Sequence, residues 1–158
     1  MIARYAPVSP ARLAELAADD AALARFLELA EDDDALALDA DKSWHGIHYL
    51  LCGSPWDGQG PFHDLAFGGE SLGDEDWGYG PARVLAPEAV ASIRTALDTI
   101  SFTALRGRFE TEVLGNREIL PGFEDASDFD YLEYHFERIK AWFAKTADSG
   151  AAMLAWIS

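Results

Sequence analysis

The amino-acid sequence predicts an α+β fold, a single compact domain with several helices packed on a small mixed or antiparallel sheet that includes the N- and C-terminal strands. Three observations carry this. Residues 2–8 alternate loosely between apolar and polar, as a half-buried strand does. Residues 151–157 form a closing apolar strand. Between them the clearest periodicity is helical: over 128–146, Phe129, Leu132, Phe136, Ile139 and Phe143 recur at spacings of three and four, a core-facing seam. A chain of 158 residues without repeats or a linker fits one domain, spanning 1–158, and is long enough to bury a sizeable core.

The remaining elements follow in order. Ser9-Pro10 starts a helix, with a side-chain cap and proline at the first helical position. Leu13, Leu16 and Ala17 give it one apolar stripe, and Asp19-Asp20 restarts it with Leu23, Phe26, Leu27 and Ala30. Glu31-Asp32-Asp33-Asp34 reads as a solvated acidic turn, without the glycine and terminal glutamate of a calcium loop. Asp41 caps the next helix, where Trp44, Ile47, His48 and Leu51 share a face, and Gly53 stops it. Residues 53–80 hold eight of the thirteen glycines. Strands are placed in and after this segment, around 62–67 and 83–85. Pro87 opens a helix with Val90, Ile93, Ala96 and Leu97 buried. Ser101 caps a short helix to about Phe109, and 111–116 adds a turn. Asp128, Asp130 and Glu133 begin the last helix and Lys140 and Lys145 lie near its end, matching its dipole, until Ser149-Gly150 breaks it.

Composition narrows the function. The apolar fraction of 49% and charged fraction of 25% are ordinary for a soluble globular protein. The N-terminus lacks the apolar core of a signal peptide, and no apolar run nears the roughly 20 residues of a membrane span. One cysteine, Cys52, excludes an internal disulfide and suits a reducing compartment, so a cytoplasmic location is expected. The formal net charge of -16 argues against nucleic-acid and membrane partners, whose phosphates would repel it. It fits either acidic solubility or attraction to a basic partner protein.

The inventory of chemistry is thin. His45 and His48, three residues apart on a helix, could share a metal, yet a zinc site needs about three or four ligands. His63 and His135 lie far off in sequence and Cys52 stands alone, so no metal or cofactor is assigned. The plainer reading packs His48 beside Trp44 and turns His45 toward a groove. No Gly-x-Ser-x-Gly elbow or phosphate loop occurs, and Asp74-Glu75-Asp76 and Glu124-Asp125 lie in polar segments, so no catalytic residue is named. Arg83 either braces Glu70 or leaves its guanidinium for an anionic ligand or a partner carboxylate. Trp56, Trp77 and Tyr79 share the glycine-rich segment, and exposed aromatics rimmed by polar groups mark protein-binding surfaces. The candidate binding residues are therefore His45, His48, Tyr49, Glu70, Trp77, Tyr79 and Arg83.

The string Lys42-Ser43-Trp44-His45-Gly46-Ile47-His48-Tyr49-Leu50-Leu51, then Gly68-Gly69-Glu70, Tyr79-Gly80-Pro81-Ala82-Arg83 and the terminal aromatic helix, resembles the YfbM-like family, bacterial domain-of-unknown-function family 1877. The likeness runs nearly end to end and departs at Ala86, where a threonine cap is common. It implies a small cytoplasmic bacterial α+β domain and no established activity. Two functions compete: a non-catalytic immunity or antitoxin-type neutraliser of a basic partner, and a small-molecule or hydrolytic pocket between the Trp44–Leu51 helix and the 68–83 segment. Trp44→Ala is expected to act on folding, and His45→Ala to cost little if His45 faces a groove.

Overall fold

Five strands make one antiparallel sheet in the order β2-β1-β5-β4-β3. They are β1 (Ala3–Val8), β2 (Leu38–Asp39), β3 (Glu70–Leu72), β4 (Ala82–Leu85) and β5 (Ala152–Ile157). The computed structural model describes residues 1–158. The two terminal strands lie at the middle of the sheet, paired from Ala3↔Ile157 to Val8↔Ala152. Every residue of β5 is buried, which is why that stretch is apolar throughout instead of alternating.

Alternation along the strands gives the sheet two faces with different cover. Tyr5, Leu38, Leu85, Met153, Ala155 and Ile157 join the larger core, beneath α3 (Ser43–Cys52), α4 (Gly60–Phe67), α5 (Pro87–Asp98) and α7 (Asp128–Ser149). Ala6, Val8, Leu154 and Trp156 join a smaller core with Leu16, Leu23 and Leu27 of α1 (Pro10–Ala18) and α2 (Asp20–Glu31). The result is three layers, with the sheet between unequal helical covers. Between α5 and α7 the chain winds through a 3₁₀ turn (Phe102–Leu105), the short α6 (Arg106–Arg108) and a π turn (Phe109–Val113).

Local chemistry accounts for most boundaries. Ser9 and Asp19 accept bonds from the Arg12 and Ala22 amides and cap α1 and α2. Gly53, at φ 75°, supplies the left-handed residue that ends α3.

Several expectations need correction. Residues 62–67 belong to helix α4, not a strand. Pro61 opens the helix, and Leu65 and Ala66 face the core while Phe62, His63 and Phe67 stay half-buried. Their aromatic, β-prone composition misleads because tertiary packing decides so short a segment. Asp41 does not cap α3. It sits outside the helix at φ +49°, held by Tyr131 Oη, which donates to its carboxylate at 3.1 Å, and the cap position is Lys42, with no side-chain bond. Ser101 likewise makes no capping bond. Glu31 is not merely solvated, since its carboxylate lies 3.3 Å from both Arg4 Nη1 and Trp156 Nε1. The edge strands β2 and β3 have no counterpart in the sequence reading, and α7 runs a turn longer, to Ser149.

Gly46 lies where α3 crosses α7. A Cβ there would stand 2.8 Å from Phe123 and 3.0 Å from Leu132. Alanine would favour the helix by about 1 kcal/mol, but overpacking a filled core costs about 1–3 kcal/mol. Gly46→Ala is therefore expected to lower stability in a denaturant titration. A gain would mean that Phe123 and Leu132 yield freely.

Candidate functional site

Helix α3 carries the string that drew attention in the sequence, and it is buried nearly all round. Ser43, Trp44, His45, Ile47, His48 and Leu50 are each at most 2% exposed. Trp44 is the hub of an aromatic cluster, with ring centroids 4.9 Å from His45, 5.7 Å from Phe67 and 6.4 Å from both Trp56 and Tyr79. Trp56 also lies 4.3 Å from His45 and 6.2 Å from Phe67. The cluster surfaces at two residues, Trp56 at 45% and Tyr79 at 47% exposure. They form an aromatic ledge over a buried base.

Both loops that carry the ledge are fixed by hydrogen bonds. His45 Nε2 lies 2.7 Å from the Pro55 carbonyl, and the Leu120 amide donates to Nδ1 at 2.9 Å. The ring is therefore the neutral Nε2–H tautomer, with both nitrogens satisfied. Burial lowers its pKa, opposed by the bond to Pro55. The Asp76 carboxylate accepts from the Gly78 and Gly80 amides at 2.8 and 2.9 Å, and these bonds hold its pKa below the usual range. Trp77 packs into the smaller core on the far side of the sheet and anchors that turn.

The seven candidate residues do not converge. His45 is a structural clamp and does not face a groove. Tyr49 is half-buried against the larger core. Arg83 does not brace Glu70. Glu70 pairs with Val84 across the strands while Arg83 pairs with Ser71, so the two side chains leave opposite faces of the sheet. Arg83 instead donates to the Ala66 carbonyl at 2.6 Å, and Tyr5 Oη donates to the Leu65 carbonyl at 3.0 Å, closing the end of α4. Glu70 is exposed on the other face, and only Tyr79 reaches the ledge beside Trp44. The proposed pocket between α3 and 68–83 is thus divided by the sheet itself.

His48 is 1% exposed, and neither ring nitrogen has a partner. Its ring packs 5.6 Å from His63 and 4.9 Å from Phe67. Burial, then the neighbouring imidazoles, push its pKa down to about 4, and the Asp57 carbonyl, outside bonding geometry, offsets part of the fall. Cys52 Sγ and His63 Nδ1 crowd against Gly58, and burial raises the Cys52 pKa, the state of an unreactive thiol. No three His, Cys, Asp or Glu side chains are grouped to hold a metal ion.

Trp56 is the contributor absent from the candidate set. Its signal was available, an exposed-type aromatic between Pro55 and Asp57 in a glycine-rich loop. A groove of about 310 Å³ beside Trp44, lined by Met1, Lys42, Leu120 and Pro121, was not foreseen either. Its single charged side chain gives it no acid–base pair for catalysis. No helix is long and apolar enough to cross a membrane.

His45→Ala leaves the Pro55 carbonyl and Leu120 amide unpaired, a loss of about 2–4 kcal/mol. That is the same scale as the roughly 3–5 kcal/mol for Trp44→Ala, so thermal melts should show both variants strongly destabilised. For His48, the folded pKa of about 4 lies below the 6.5 of the unfolded side chain, so the unfolded state binds the extra proton. Its contribution, at most about 3 kcal/mol, is complete above pH 6.5 and lost as pH falls toward 4. His48→Leu should match or exceed the parent stability at neutral pH and flatten that acid slope. A variant with the parental slope would place the titration elsewhere.

Comparison with known proteins agrees with the fold. A solved structure described as a protein of unknown function, YfbM from Escherichia coli, superposes with a TM-score of 0.70 at 22% identity, covering 98% of each chain. No curated protein matches. A family model, that of a domain of unknown function, matches residues 1–156, and the chain belongs to that family, DUF1877.

Proposed function

We propose that this domain is a non-catalytic cytoplasmic binding protein that captures a basic partner protein, as an immunity or antitoxin-type neutraliser does. The observation that carries this reading is the exposed Trp56–Tyr79 ledge with Asp57 and Asp76 beside it in the chain, within a segment that has no cation to neutralise them. Residues 43–82 contain six carboxylates, Asp57, Asp64, Glu70, Asp74, Glu75 and Asp76, and no lysine or arginine. None of the six takes part in an ion pair within the chain. Asp57 directly follows Trp56, and Asp76 lies in the turn that presents Tyr79. Exposed aromatics supply lasting affinity by burying large, stiff surfaces, and unpaired carboxylates speed the encounter with a cationic partner.

The small-molecule reading loses its support, because Glu70 and Arg83 leave opposite faces of the sheet and His45 is saturated internally. Capture from a native extract of the source cells tests the binding reading. The immobilised domain should retain a basic protein at low salt and progressively less as salt rises. The double variant Trp56→Ala/Tyr79→Ala should keep its melting temperature within a few degrees and lose retention, on the order of 30-fold for a hot-spot residue. Retention unchanged in the double variant, or a partner held without salt dependence, overturns the reading.

A further inference from the structure

We propose that the Trp56–Tyr79 ledge is a seat for an arginine guanidinium presented by the partner protein. This rests on the binding reading above and names the group recognised. A cation is attracted to the negative face of an aromatic ring, most strongly to tryptophan, within about 6 Å of the centroid. The chain meets its internal cation–π opportunities elsewhere: Arg12 over Phe26, Arg106 over Phe129, Arg138 over Tyr134 and Lys145 over Trp142. No cation of the chain stands over Trp44, Trp56 or Tyr79. With Trp56 and Tyr79 about half exposed, their outer surfaces are open to a cation from outside.

Charge and shape both favour guanidinium. Asp57, next to Trp56 and exposed, makes no ion pair within the chain, only a 3.5 Å contact from Ser54 Oγ, and its carboxylate can take two parallel N–H bonds. Arginine's flat, weakly hydrated head stacks on an aromatic plane at lower desolvation cost than the compact ammonium of lysine. The ledge is also rigid before binding. Trp56 rests on His45, which is itself clamped to Pro55 and Leu120, and Tyr79 stands on a turn tied by Asp76. Little side-chain freedom remains to be lost on contact.

The test titrates the intact domain with three peptides of identical spacing, alternating glycine with arginine, with lysine, or with citrulline, which keeps the shape and lacks the charge. The readout is the indole N–H resonance of Trp56, assigned by its absence in Trp56→Leu, with Trp142 as an internal control whose ring already has Lys145 over it. The arginine peptide should shift the Trp56 signal well beyond the lysine and citrulline peptides and leave Trp142 in place. Trp56→Leu should weaken the arginine peptide about two- to fivefold, the measure of an exposed cation–π contact, and leave citrulline unchanged. Equal shifts from arginine and citrulline overturn the proposal. So does a silent Trp56 signal once the backbone resonances of exposed acidic residues already respond. If the ledge variants lose the captured protein while arginine leaves Trp56 unmoved, the binding reading stands and the guanidinium seat is rejected. If the variants lose nothing, both fall.

Discussion

The near-complete burial of α3 constrains everything around it. A ten-residue helix with seven residues buried and only Tyr49, Leu51 and Cys52 half-buried must find apolar cover on most sides and partners for its ends. It packs on α4, α7 and the π turn at 109–113. Gly46 permits the close crossing with α7, and Arg108 reaches in to donate to the Leu50 carbonyl at 2.8 Å. His45 converts what would be a buried polar cost into two cross-links between distant loops. One helix thereby positions the 53–59 loop, the 114–127 loop and the base of the ledge. A charge or an extra methyl anywhere along it would be felt at all three.

Scarce cations explain how so acidic a chain holds together. Of its twelve lysines and arginines, all but Lys42 and Arg117 are engaged in an ion pair, a hydrogen bond to a backbone carbonyl or an aromatic contact. Arg4, with a nearly buried side chain, ties together Glu31, Asp39 and Ser158 beside the central strands. Arg83 and Arg108 satisfy carbonyls at the ends of α4 and α3, where a cation also complements the helix dipole. The surplus of carboxylates is left to solvent, and residues 43–82 have no cation among them. A cation arriving from outside would relieve the self-repulsion of that surplus.

The outline of the fold was legible because strong, long-range patterns carry it. The seam of α7 has only one amphipathic solution, and the all-apolar β5 is explained by its place at the sheet centre. Local chemistry was equally readable at Ser9, Asp19 and Gly53, where a single side chain or glycine sets the boundary. What escaped was decided by partners far along the chain. Residues 62–67 are held as a helix by tertiary partners: Tyr5 and Arg83, on two separate strands, donate to the Leu65 and Ala66 carbonyls near the end of α4. Asp41 looks like a cap, but Tyr131, ninety residues away, holds it outside the helix. Arg83 and Glu70 looked like a pair because strand register, which assigns them to opposite faces, is invisible without β3. His45 looked exposed because a histidine off the apolar stripe is exposed unless a carbonyl and an amide from other loops are waiting for it.

The glycine turn at 76–80 separates support from display at the ledge. Trp77 and Tyr79 are two residues apart in one tight turn, yet Trp77 enters the smaller core and Tyr79 stays at the surface against Trp44. A turn pinned by Asp76 and anchored by one aromatic can present the other without collapsing onto the core. Trp56 is handled in a parallel way, resting on a histidine that cannot move without breaking two bonds. Two aromatics held open by independent devices leave a gain unrealised, since burying their exposed halves would contribute roughly 1 kcal/mol each. Their exposure is maintained by the architecture, and that is the physical argument for a surface that meets another molecule.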